Sequence, residues 1–168
     1  MKKYLNLLLT FILILFISCS MNTEKKELKH FAVDDLNGIS AQSGIQLDKS
    51  VSSDGNGSIK IEAAGPASFP LYVVDDIKVE DTQIIYEAKI KSEGLSGQAF
   101  LEMWCVFRDQ GEFFSRGFDS VISGTSDWKT IKTVFNLRKG EMPDHIKLNV
   151  MINGVGTIWI DDIHLSIL

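Results

Sequence analysis

Residues 98 to 107 read Gln-Ala-Phe-Leu-Glu-Met-Trp-Cys-Val-Phe, and Ala99, Leu101, Met103, Cys105 and Phe107, every second residue, are apolar. Side chains alternate faces along an extended strand, so this pattern predicts a β-strand with one continuous apolar face toward a core. Phe100, Glu102, Trp104 and Val106 then share the opposite face. The pattern recurs elsewhere. From His145 to Ile152 the apolar set is Ile146, Leu148, Val150 and Ile152, with His145, Lys147, Asn149 and Met151 opposite. In Ile84 to Lys91, Tyr86, Ala88 and Ile90 turn inward and leave Ile85, Glu87, Lys89 and Lys91 outside.

Further strand-like runs span Ile59 to Ala63, Gln83 to Lys91, Phe113 to Asp119, Lys129 to Asn136 and Thr157 to Ser166. Between them lie Glu93-Gly94-Leu95-Ser96-Gly97, Asp109-Gln110-Gly111, Ser123-Gly124-Thr125-Ser126-Asp127 and Asn153-Gly154-Val155-Gly156. These residue types suit tight turns. No segment holds the period of about 3.6 residues long enough to predict a helix. About seven or eight short strands at this spacing predict an all-β fold, a β-sandwich.

The chain has 168 residues, 45% hydrophobic and 23% charged, which fits one globular domain. Part of the hydrophobic total sits at the N-terminus, where Lys2 and Lys3 precede an apolar run from Tyr4 to Ile17 broken only by Asn6 and Thr10. As a helix of about 14 residues at ~1.5 Å each, this run reaches about 21 Å and falls short of a ~30 Å hydrocarbon core. It therefore reads as a signal peptide over residues 1 to 18, cleaved rather than retained. Ser20 to Lys29 is polar, without an apolar face to pack, and makes residues 19 to 29 a tether before a domain over residues 30 to 168.

The formal net charge is −5, from 17 Lys and Arg against 22 Asp and Glu. Loss of Lys2 and Lys3 with the signal leaves 15 against 22, or −7. An acidic surface with scattered lysines and arginines argues against a nucleic acid partner and against adhesion to anionic lipid by charge. Of the two cysteines, Cys19 falls at the end of the signal and only Cys105 lies in the domain. The domain therefore has no internal disulfide and depends on its core. Phe16-Ile17-Ser18-Cys19 resembles the end of a bacterial lipoprotein signal, cut just before a cysteine that then carries lipid. That resemblance implies lipidation of Cys19, a membrane anchor and a place in the bacterial cell envelope, periplasmic or surface-exposed.

An outer sheet face carrying Glu87, Lys89, Glu102, Trp104, Lys147 and Asn149 offers an aromatic plane beside forked polar groups, which is what a sugar ring needs. Phe114, Arg116 and Phe118 add a second aromatic row. The planar guanidinium of Arg116 can donate two parallel hydrogen bonds to vicinal hydroxyls or a carboxylate. The same residues also permit a core phenylalanine pair with Arg116 bound to Glu102 or Glu112. Trp128 and Trp159 read as packing residues.

From about Phe31 to Leu168 the chain resembles the galactose-binding-like jelly roll of carbohydrate-binding modules attached to bacterial cellulases and xylanases. The resemblance rests on Gly57-Ser58-Ile59-Lys60-Ile61, Tyr86-Glu87-Ala88-Lys89-Ile90-Lys91, Trp128 at the head of a strand, and Gly156-Thr157-Ile158-Trp159-Ile160-Asp161-Asp162-Ile163-His164-Leu165 at the end. It implies a jelly-roll β-sandwich, and a structural Ca²⁺ held by Asp162 with Asp34 or Asp35. Hydrogen bonding of Asp162 without metal is the other reading. His30, His145 and His164 are too dispersed in sequence to suggest a zinc site.

Motifs for catalysis are missing: there is no Gly-x-Ser-x-Gly elbow, no His-Glu-x-x-His and no Gly-rich phosphate loop. Glu87 and Glu102, placed on neighbouring strands, would make a carboxylate pair, but the domain has little beyond the sandwich to build a cleft. The expectation is a non-catalytic, lipid-anchored carbohydrate-binding protein whose partner is a glycan or polysaccharide. The alternative is an envelope protein-protein interaction module using the same face, or a patch at Ile85 and Met151.

Overall fold

A computed structural model describes residues 24–168. The expected signal peptide, Cys19 and the tether as far as residue 23 lie outside the described residues. Eight strands follow in order: β1 (Lys26–Phe31), β2 (Ile45–Asp48), β3 (Ser58–Ala63), β4 (Ala67–Asp75), β5 (Gln83–Phe107), β6 (Gly111–Arg116), β7 (Ile122–Asn136) and β8 (His145–Ile167). All pairing is antiparallel. The described residues contain no helix, as the missing helical period predicts.

Two long strands organise the molecule. β5 and β8 pair along their whole lengths, from Ile84 opposite Ile167 to Val106 opposite His145. Midway the register slips between Glu93 and Ser96, where Gly94 and Gly97 of β5 meet Gly154 and Gly156 of β8. Gly97 faces Gly154 so closely that a Cβ on Gly154 would stand 1.6 Å from the Ser96 carbonyl oxygen. The two glycine clusters read as turns between separate strands are therefore bends within continuous ones.

Each half of the β5–β8 ribbon gathers its own neighbours. Around Gln83–Ser92 and Ile158–Ile167, β7 pairs with β5 while β3 and β1 pair with β8, with β2 beyond β3; we call this sheet one. Around Ala99–Phe107 and His145–Ile152, β6 pairs with β5 and β4 with β8; this is sheet two. Their inner faces meet in one core. Ile59, Ile61, Tyr86, Ile90, Ile160 and Leu165 of sheet one share it with Leu101, Met103, Cys105, Leu148 and Val150 of sheet two. Phe31 of sheet one stacks on Tyr72 of sheet two with ring centroids 3.8 Å apart. At the other edge the Ser115 hydroxyl of β6 donates to the Val134 carbonyl of β7 at 2.6 Å.

The inward sets predicted for 98–107, 145–152 and 84–91 are all buried. Ile85, expected outside, is only 6% exposed, which removes the patch expected at Ile85 and Met151. Cys105 is fully buried and its apolar surroundings push the thiol up to about 12. It should therefore resist a thiol reagent in native protein and react stoichiometrically only after denaturation. Rapid native labelling would invert the face assignment of β5.

Three strands were not legible in the sequence. β1 takes in Lys26–Lys29, part of the expected tether; its side chains are mostly exposed, so no apolar alternation marks it. β2 has four residues. β4 contains Pro70 beside a register shift to Tyr72, and the slip breaks its alternation. β7 begins at Ile122, upstream of the expected Lys129, because the Ser123–Asp127 segment still pairs with β5 through irregular register.

Candidate functional site

The outer face of sheet two brings together most of the residues singled out above. Cross-strand register fixes the rows: Asn149, Glu102 and Arg116 lie side by side on β8, β5 and β6, and Lys147, Trp104 and Phe114 form the next row. β4 extends these rows with Pro70 and Val73, which the sequence reading did not include.

Glu102 is the hub. It is only 3% exposed, and its Oε1 accepts from Trp104 Nε1 at 2.7 Å and from Asn149 Nδ2 at 3.2 Å. Its Oε2 accepts from Arg116 Nε at 2.6 Å. Burial pushes this carboxyl upward and is the largest single influence. The hydrogen bonds from Trp104, Arg116 and Asn149, with the charge of Arg116, together outweigh it and hold Glu102 below its ordinary value. A carboxylate so fully engaged positions its neighbours; it has little left to offer a ligand.

What it positions is an aromatic surface. Trp104 and Phe114 contact with centroids 4.9 Å apart, and the Arg116 guanidinium lies over the Phe114 ring at 4.5 Å. With Nε committed to Glu102, the terminal nitrogens of Arg116 remain as donors. Phe118, just beyond β6, is 61% exposed and packs against Phe100 at 4.9 Å. Phe114 is 49% exposed, so the arrangement with both phenylalanines in the core does not occur, although Arg116 does pair with Glu102. Lys147 reaches Glu112 at 2.9 Å on the rim. Arg116 also lines a cleft of about 310 Å³ between β6 and β7, with Lys132, Thr133 and Val134, so this one residue joins the platform to a groove at its edge.

Glu87 and Lys89 do not belong to this site. They lie on β5 beyond the bend, on the outer face of sheet one, where Glu87 pairs with Lys25 and Lys89 with Asp162 at 3.0 Å. Glu87 and Glu102 share one strand and opposite halves of the fold, so they cannot act as a carboxylate pair across a substrate. Trp159 is 6% exposed, its Nε1 donating to Asp48 at 2.9 Å, in keeping with a packing role. Trp128 is half-buried.

Of the aspartates expected to hold calcium, Asp35 and Asp162 have protein partners for their carboxylates and Asp34 has one for its carbonyl. Asp35 accepts from the backbone and side chain of Asn37, and the Asp34 carbonyl accepts from Lys49. Asp162 faces His30, His164 and Lys89, and these donors hold its carboxyl down at about 2 against the opposing effect of burial, the largest single influence. An ammonium and two imidazoles do not suit an ion that takes six to eight hard oxygens. The histidines read as dispersed are partly brought together: His30 of β1 is paired directly with His164 of β8, while His145 is at the far end of β8. The two meet only through the pairing of β1 with β8, and the exposed side chains of β1 leave no apolar alternation to mark it as a strand.

The fold is a jelly roll of the kind seen in solved carbohydrate-binding modules. Among solved structures, the chain is similar to the C-terminal family 22 carbohydrate binding module of Clostridium thermocellum Xyn10B, with 10% identity over 84% of this chain and 94% of that one and a TM-score of 0.59. It is similar also to the CBM22-1 xylan-binding domain of Paenibacillus barcinonensis Xyn10C, with 12% identity over 86% and 92% and a TM-score of 0.56. A family 16 carbohydrate binding module matches with 12% identity over 74% and 86% and a TM-score of 0.53. Identities this low speak for the fold alone. No protein-family model and no curated protein matches the chain.

Proposed function

We propose that this protein is a non-catalytic carbohydrate-binding protein that lays a glycan chain across the outer face of sheet two, and that acylation of Cys19 anchors it to a bacterial envelope membrane. The observation that carries the reading is the Trp104–Phe114 pair, flanked by Arg116 and held from below by Glu102. Aromatic faces pack against the C–H faces of sugar rings, and guanidinium donors suit hydroxyl pairs. An open platform leading into a groove suits a polymer passing over it better than a single sugar enclosed in a pocket. The solved structures with this fold include xylan-binding domains, which supports the same reading.

A glycan array followed by affinity electrophoresis in soluble polysaccharides tests it. Trp104→Ala and Phe114→Ala should each weaken binding by about tenfold or more, equivalent to ~1.4 kcal/mol. Lys60→Ala, on sheet one, should leave it unchanged. Failure to bind any polysaccharide, or binding indifferent to both aromatic substitutions, would sink the proposal.

A further inference from the structure

The outer face of sheet one carries a second constellation, where β1 closes onto the end of β8. His30 and His164 stack with ring centroids 4.2 Å apart and planes 3° from parallel. A bulge in β8 places Asp162 at φ 50° and aims it at both rings. Its Oδ1 accepts from His30 Nε2 at 2.8 Å and from His164 Nε2 at 2.9 Å, while Oδ2 takes Lys89. A carboxylate oxygen only accepts, so both Nε2 atoms carry the hydrogen, and in the neutral rings each Nδ1 is a bare lone pair. Yet His164 Nδ1 lies 2.7 Å from Glu27 Oε2. Two acceptors at that distance repel one another unless a cation stands between them.

The surroundings make room for one. A cleft of about 310 Å³ beside the pair is lined by Lys25, Glu27, His164 and Ser166. Ser166 is 1% exposed and its hydroxyl has no hydrogen-bond partner. One donor atom each from Glu27, His30 and His164 lies within 4.8 Å of the others.

We propose that Glu27, His30 and His164 form a binding site for a divalent transition-metal ion of the zinc type that fastens β1 to β8. Imidazoles that give one N–H to a carboxylate and present the other nitrogen are the usual form of metal-ligating histidines, and Asp162 supplies that support to both rings. Two nitrogens and one oxygen match zinc, with bonds of about 2.0–2.2 Å and ligands about 3.3 Å apart. Glu27 and His30 have side chains 54% and 41% exposed, so Glu27 is free to draw back from the 2.7 Å contact with His164 and the His30 ring to turn out of the stack toward the ion.

The test is calorimetric titration of the full chain with zinc chloride after chelator treatment. A Cys19→Ser background leaves buried Cys105 as the lone thiol. One ion should bind per chain and raise the thermal midpoint, and calcium or magnesium should do neither. His164→Gln and His30→Gln, each shown to be folded by its far-ultraviolet spectrum and its metal-free melt, should abolish both effects. Asp162→Asn should weaken zinc by about 10–100-fold. Cobalt should give the absorption of a tetrahedral site. The proposal is overturned if zinc produces no heat and no shift. It is overturned equally if the shift survives in both histidine variants, or if only acidification changes the midpoint, in which case the cation between His164 and Glu27 is a proton.

Discussion

Gly154→Ala should cost more than about 3 kcal/mol of stability and lower the thermal midpoint by roughly 10 °C. The reason lies at the bend of the β5–β8 ribbon. The added methyl would fall 1.6 Å from the Ser96 carbonyl oxygen and 2.7 Å from its carbon, both backbone atoms that no side-chain rotation can move. At Gly97 a methyl would meet the Asn153 carbonyl oxygen at 2.0 Å, on a residue whose φ of 100° already suits glycine alone. The strands could accept either methyl only by separating where their register shifts. Both sheets hang on these two strands, so separation would disturb the core and the Trp104 face together. Gly65→Ala is the matched control, since a Cβ there meets nothing within 4 Å, and it should change stability by no more than about 0.5 kcal/mol. A Gly154→Ala protein melting with the wild type would show that the ribbon does not cross as closely as described.

The same ribbon explains what could be read in advance. Alternation in 98–107 and 145–152 has a physical cause, since one face of sheet two is wholly apolar against the core while the other mixes polar and aromatic residues, and it gave both the inward set and the row of Glu102, Trp104, Lys147 and Asn149. Phe114 and Arg116 followed from the same rule on β6. Alternation says nothing about which stretches share a sheet. Glu87 and Lys89 have the same local pattern as Glu102 and Trp104, yet the bend at Gly94–Gly97 sends them to the other side of the molecule. The histidine pair was hidden for a related reason. His30 and His164 stand 134 positions apart in the chain and meet only because β1, polar and short, adds to the edge of β8.

The engaged state of Glu102 leads to an effect with a distinctive pH signature. Glu102→Ala removes the acceptor for Trp104, Asn149 and Arg116 and leaves a guanidinium next to a hole. Loss of one partner of a buried ion pair costs about 3–5 kcal/mol, and the Arg116 side chain is 33% exposed, so about 2–3 kcal/mol is expected. Glu102→Gln keeps the shape and one acceptor oxygen and should cost about 1 kcal/mol near neutral pH. Because the folded carboxyl titrates below its ordinary value of 4.5, the charge contributes its full stability above that pH. The contribution is lost as pH falls through the lower folded value. The difference in midpoint between wild type and Glu102→Gln should therefore be constant from about pH 7 to about pH 5 and shrink on further acidification, while other acidic groups cancel between the two proteins. Tryptophan fluorescence of the folded Gln variant should change as Trp104 loses its charged acceptor, and glycan affinity should fall with it. A difference that stays constant into strong acid would mean that the charge on Glu102 contributes nothing and that Trp104 and Arg116 are held by packing alone.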